Sequence, residues 1–128
     1  MHHKEVIVSD KAPQAIGPYS QGIRINNLVF TAGQLGIDRS TGNLVMGGIE
    51  TETHQALTNI QYILESAGTS LLNVIKTTVF LRDMQDFALM NEVYSTFFKS
   101  NPPARSTIQV AALPKSGSVE IEAIAILP

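Results

Sequence analysis

The sequence predicts an α+β domain in which two helices cover one face of a mixed β-sheet. Three observations carry that expectation. Short alternating runs fill the N-terminal third, two later stretches repeat apolar residues at three- and four-residue steps, and a strand-like run separates those two stretches. The order is β-β-β-α-β-α-β-β. No linker, repeat or low-complexity tract interrupts it, so residues 1–128 read as one domain.

Glu5 to Val8, Gly22 to Ile25 and Leu28 to Ala32 are the first strands, the last two joined by the tight-turn pair Asn26-Asn27. Gly42 and Gly47-Gly48 mark a loop. The first helix then presents Thr53, Ala56, Leu57, Ile60, Ile63, Leu64 and Ala67 on one stripe, with Gly68 suited to the position just past its end. Asn73 to Leu81 reads as a central strand with Ile75, Thr77, Val79 and Leu81 on one side. Asp83 or Asp86 can cap the second helix, whose stripe is Phe87, Met90, Asn91, Tyr94, Phe97 and Phe98.

Pro102 and Pro103 force an extended course, so Ala104 and Arg105 begin a strand. Alternation places Arg105, Thr107 and Gln109 on a polar face and Ser106, Ile108 and Val110 on a mostly apolar one. The turn Leu113 to Gly117 implies a hairpin into a strand from Ser118 to Ile126, with Val119, Ile121, Ala123 and Ala125 opposite Glu120 and Glu122. A guanidinium that grips a carboxylate and a carboxylate that holds a water would then lie within one hairpin. On spacing alone the commoner arrangement is a solvated cross-strand pair worth less than about 1 kcal/mol. Alternation does not choose between Glu120 and Glu122.

Three other residues stand out. Asn91 places an amide on an apolar stripe and must be hydrogen-bonded, either to a neighbouring loop or in a pocket. Tyr19, behind Gly17-Pro18, is either a half-buried core residue or a cover over a ligand. Gly33 lacks the rest of a phosphate-binding fingerprint and suits a bulge or a close backbone approach to a ligand. His2, His3 and distant His54 make a poor metal set, and no metal is assigned.

Composition sets bounds. With 44% hydrophobic residues, a chain of this size leaves more apolar surface than a small monomer hides easily, which favours an oligomer. The net charge is −2 and the basic residues are scattered, so nothing argues for nucleic acid. The absence of Cys excludes disulfides, thiolate catalysis and Cys-ligated zinc. There is no signal-like segment or membrane-length run, so a soluble cytoplasmic protein is expected, with a mitochondrial one possible for a eukaryotic source.

Pro103 to Lys115 followed by Val119 to Ala123 resembles the signature of the RidA family, also called YjgF/YER057c/UK114. Ile16 to Gly22, Thr31 to Gln34, Val74 to Phe80 and Asp86 to Asn91 resemble it too, in the family's order and spacing. The resemblance implies a homotrimer of chorismate-mutase-like architecture with three clefts, each built from two chains. It implies hydrolysis of reactive 2-imino acids, such as 2-iminopropanoate and 2-iminobutanoate, to 2-keto acids and ammonia, without a cofactor. Arg105 would bind the substrate carboxylate and Glu120 the attacking water, with Tyr19, Gly33, Asn91 and Thr107 shaping the cleft. Many members carry Cys in place of Thr107 and some carry Ser in place of Ala32. A hydroxyl still hydrogen-bonds, so imine hydrolysis is expected to survive the change at Thr107, whereas a role through thiol oxidation does not carry over. Some relatives are described as ribonucleases or translation inhibitors. A chaperone-like receptor for small carboxylates is the third reading.

Overall fold

The computed structural model describes residues 3–128. Its N-terminal part is a meander in which β1 (Glu5–Ile7) pairs with β2 (Gly22–Ile25) and β2 with β3 (Leu28–Thr31), all antiparallel. Two residues join β2 to β3, and Asn26 there adopts φ 53°, the left-handed conformation such a turn needs and Asn tolerates. Next come short pieces that the sequence pattern did not announce: β4 (Gln34–Leu35) and the small hairpin of β5 (Ile37–Asp38) and β6 (Asn43–Leu44).

Helix α1 (Ile49–Ser66) buries the expected stripe from Thr53 to Leu64, and Gly68 follows its end at φ 89°. Its one fully buried amide, Asn59, donates to the carbonyls of Leu35 and Ile37 and accepts from Gln55, tying the helix to β4 and β5. Strand β7 (Val74–Leu81) leads through a short turn into α2 (Phe87–Phe97), then β8 (Ala104–Gln109) and β9 (Val119–Ile126). Asp83 caps the 3-10 turn ahead of α2 by accepting from the Gln85 amide, so the capping bond lies one turn before the helix proper.

The main sheet runs β1-β2-β3-β9-β7-β8, with β4 also pairing to β9. The anticipated hairpin of β8 and β9 does not form. β8 lies parallel to β7 on one side and β9 antiparallel to it on the other. The physical reason is the crossover: α2 carries the chain back to the starting end of β7, so β8 must run parallel to it. The turn before β9 then crosses the end of β7, where the Arg82 amide donates to the Ser118 carbonyl.

The sheet pairing also decides which faces meet the helices. Parallel register sets Arg105 beside Thr77 and Thr107 beside Val79, so the polar face of β8 turns towards the helices and Ile108 is left 48% exposed on the open side. A register shift between Val74 and Lys76 also rotates Ile75 out, leaving it exposed while Val74 takes the buried place. On β9 the alternation holds, with Val119, Ile121, Ala123 and Ala125 buried and Glu120 and Glu122 turned away. The core is the layer between α1, α2 and one face of β3, β7 and β9.

Gly36 follows β4 where α1 passes closest. A Cβ there would lie 2.6 Å from the Glu52 Cα and 2.7 Å from its carbonyl oxygen, which are backbone atoms that cannot yield locally. Gly36→Ala is expected to destabilise the fold by about 1–3 kcal/mol, read as a lower Tm in thermal denaturation.

Candidate functional site

Glu120 sits near the start of β9, opposite Phe80 on one side and Leu35 on the other. The partner strands on that second edge are broken: Phe30 faces Ile124 and Gln34 faces Ile121, so Thr31 to Gly33 stand against only Glu122 and Ala123. This is a bulge of one residue, and the Thr31 hydroxyl accepts from the Ala123 amide across it at 3.0 Å. Gly33 lies in the gap. A Cβ on Gly33 would come within 2.5 Å of Glu120 Oε2, so the missing side chain is what gives the carboxyl its seat.

That seat opens into a cavity of about 580 Å³ that Glu120 and Gly33 share with Tyr19. Tyr19 is 50% exposed, which makes it a wall of the cavity mouth rather than a core residue. Burial pushes the Glu120 carboxyl above the ordinary carboxylate range, and the negative charge of Glu122 adds to the effect. The cavity's N-terminal wall depends on Gln21, whose buried amide donates to the carbonyls of Ser9, Ala12 and Pro13 and accepts from the Ser9 amide at 2.7 Å. Glu52, a buried carboxylate, accepts from the Ser118 amide at 2.8 Å and so fixes the chain two residues before Glu120.

A second group forms on the other face of the sheet. Arg105 lies over the rings of Tyr94, 4.7 Å from its centroid, and Phe87, at 5.5 Å. Such cation–π contacts hold a guanidinium while leaving its N–H edge free to bind. Among the described residues Arg105 has neither a hydrogen bond nor an ion pair. The Tyr94 ring is fixed by a 2.7 Å hydrogen bond between its hydroxyl and that of Thr77. Burial keeps the Tyr94 phenol above its ordinary pKa, against the opposing pull of that bond and of Arg105. Thr107 projects to the same side, and its buried hydroxyl has no partner.

Asn91 lies on the α2 stripe between Phe87 and Tyr94. It is half-buried, and its amide is not hydrogen-bonded among the described residues, so of the two arrangements the sequence allowed, a tie to a neighbouring loop is not the one found. Partial exposure removes the need, because water can satisfy it. His54 packs its ring edge-on against Phe97, at 5.1 Å, and His2 falls outside the described residues. No group of three or more His, Cys, Asp and Glu among the described residues could hold a metal ion. None of the helices described is long and apolar enough to cross a membrane.

The six residues singled out from the sequence thus fall into two sets. Tyr19, Gly33 and Glu120 share one cavity, while Arg105, Asn91 and Thr107 lie across the sheet from it. Gln21 and Glu52 had no signal of their own, since Gln21 sat unremarked inside a motif and Glu52 reads as an ordinary first-turn acid. Arg39 and Lys115 also line the cavity, and in the sequence they are only two scattered cations.

Residues 9–127 match the family model described as endoribonuclease L-PSP. The chain belongs to the L-PSP family, the YjgF/RidA group. It is 52% identical over 122 residues to a RutC family protein of Pyrococcus abyssi, covering 95% of this chain and 96% of that one. A human protein named 2-iminobutanoate/2-iminopropanoate deaminase is 52% identical over 123 residues, 96% of this chain and 90% of its own. Among solved structures, Escherichia coli TdcF with bound serine superposes with a TM-score of 0.93 at 42% identity, covering 97% and 99% of the two chains. Two helices packed on a mixed sheet are therefore the fold of this L-PSP family member.

Two outcomes follow for Glu120. In Gly33→Ala the fold should persist while the carboxyl is pushed from its seat, visible as a rotated side chain in a crystal structure and as a pKa moved back towards the ordinary value in an NMR titration. The raised pKa also has a sign for stability. A carboxyl whose folded pKa lies above its unfolded value stabilises the fold below the unfolded pKa, and that contribution is lost as pH rises through the folded pKa. Glu120→Gln should therefore raise Tm at neutral pH, with the advantage over the parent shrinking as pH falls through the raised pKa and gone below the ordinary value of 4.5.

Proposed function

We propose that this protein hydrolyses small 2-imino acids to 2-keto acids and ammonia in clefts that two copies of the chain complete within a homotrimer. The observation that carries the proposal is the separation of complementary halves. An unpaired guanidinium braced by two rings lies on one face of the sheet, and a carboxyl of heightened basicity lies on the other. No rotamer change joins them through β7, so a cleft using both needs a second copy. The open face offers the apolar contact for assembly, with Phe30 and Ile108 exposed on it. Relatives named as 2-iminobutanoate/2-iminopropanoate deaminase at this level of identity support the reaction.

In this reading Arg105 holds the substrate carboxylate through two parallel N–H donors. Glu120 accepts a hydrogen bond from a water and takes its proton as the oxygen attacks the imine carbon. The C=N bond becomes a C–N single bond in a tetrahedral carbinolamine. Protonation of that nitrogen and collapse to C=O then expel ammonia. The raised pKa of Glu120 makes it a stronger base than an ordinary carboxylate, which suits the first proton transfer. A protonated imine is already an electrophile, so this chemistry calls for no cofactor. Gly33 leaves space for the water beside Glu120, Tyr19 closes the mouth, and Asn91 and Thr107 bring donors to the Arg105 end. The substrates arise beside enzymes that dehydrate serine and threonine, and we place the protein with them in the cytoplasm as a defence against reactive imines.

The test couples the protein to a serine or threonine dehydratase with an amine trap competing for the imine. The parent should speed release of free keto acid. Arg105→Ala should lose a charge-assisted contact of about 1.5 to 3 kcal/mol, roughly one to two decades in kcat/KM. Unchanged kcat/KM in a folded Arg105→Ala oligomer would overturn the assignment. Mixing tests the shared cleft: Arg105→Ala and Glu120→Ala chains, each impaired alone, should regain about a quarter of parent activity when co-assembled at equal ratio, because one interface in four then carries both intact residues. No recovery in verified mixed trimers would place both groups in one chain's site.

A further inference from the structure

The cavity beside Glu120 is larger than a small imino acid requires. At about 580 Å³ it lies within the range of about 300–1,000 Å³ that holds drug-sized ligands. Besides Glu120 its lining carries two cations, Arg39 and Lys115, against that one carboxyl. Neither cation has an acidic partner among the described residues.

Both are held in place. Arg39 donates from Nη1 to the carbonyls of Ala12 at 2.7 Å and Ser9 at 3.1 Å, which fixes the guanidinium and leaves Nε and Nη2 uncommitted. Lys115 and Ser116 both adopt φ 57°, a left-handed conformation that costs a non-glycine residue energy and persists only where surroundings enforce it. The enforcement is visible. Arg82 donates to the Ser116 carbonyl at 2.6 Å and the Ser118 hydroxyl at 3.2 Å, while Glu52 accepts from the Ser118 amide. The strained loop sets the Lys115 ammonium at the cavity rim, 3.3 Å from the Gly42 carbonyl. A guanidinium and an ammonium positioned before the ligand arrives are what a fixed anionic group requires.

We propose that Arg39 and Lys115 form a second anion subsite in the outer part of this cavity, and that the preferred ligands are 2-imino dicarboxylates and their 2-keto dicarboxylate products. This rests on the reading of the Glu120 cavity as the substrate site. The reacting carbon lies at Glu120, its neighbouring carboxylate at the Arg105 end, and the side-chain carboxylate extends outward to the two cations.

The test is titration calorimetry of the assembled protein with two stable keto acids, 2-oxoglutarate and 2-oxobutanoate, which differ in the distal carboxylate. The parent should bind the dicarboxylate about tenfold more tightly, as one charge-assisted contact allows. Lys115→Arg should keep that preference, and Lys115→Glu should reverse it. Lys115 is exposed and, among the described residues, its ammonium bonds only the Gly42 carbonyl, so the variants are expected to fold, with circular dichroism as the check. Equal affinity for the two acids in the parent, failure of the dicarboxylate to bind, or an unchanged preference in Lys115→Glu each overturns the subsite. Loss of the imine-hydrolysis reading has a different signature. The dehydratase assay would then show no acceleration with the four-carbon imine, while the calorimetric preference would still be read independently of turnover.

Discussion

Because α1 and α2 lie on the same side of the sheet, neighbouring residues on its central strands meet opposite surroundings. Val119, Ile121 and Ala123 vanish into the layer beneath the helices, and Glu120 and Glu122 between them turn to the face that neither helix covers. Burial of that single layer is the dominant favourable contribution to folding. The same geometry explains why Arg105 is found among aromatic rings. It sits where the helix layer thins at the sheet's last strand, close enough to Tyr94 and Phe87 to be held and far enough out to present its edge.

Around Glu120 the electrostatics and the backbone geometry have one origin. The extra residue at Thr31 to Gly33 opens the ladder beside β9, and a glycine there lets a carboxyl lie against main chain. That proximity excludes water and raises the cost of ionisation. The proton affinity of Glu120 is thus set by strand register as much as by neighbouring charge. Gln21 and Glu52 act at one remove: each spends a buried side chain on backbone amides and carbonyls of segments that border the carboxyl.

Much of this was legible in the sequence, and the failures are informative. The α1 stripe and the alternation of β9 follow from local periodicity, which core packing reinforces, so they read correctly. The pairing of β8 failed because a Pro-Lys-Ser-Gly turn looks the same whether it closes a hairpin or crosses the end of a third strand. Which occurs depends on α2 having already returned the chain parallel to β7. The alternation of β8 read correctly, but alternation does not say which face meets the helices. An edge strand with Arg and Thr towards the helices violates the rule that apolar residues turn inward, and it does so at residues whose polar groups remain unpaired, as expected where function overrides packing. Arg39 and Lys115 were invisible as a pair because 75 intervening residues separate them and only the fold brings both to one cavity.

The position of β9 bears on how the chain reaches this state. Residues 119–126 pair with β3, β4 and β7 and so join the N-terminal meander to the β7–β8 half. Until they are available, the two halves share no ladder and the apolar stripe of α1 has an incomplete floor. During synthesis, the sheet can close only after almost all of the preceding sequence has left the ribosome, and unpaired edges of β3 and β7 are exposed to other chains in the meantime. Loop closure over so long a separation is slow compared with local helix formation. Folding of this protein is therefore a late, concerted event governed by its last strand, and the interval before it is when aggregation competes.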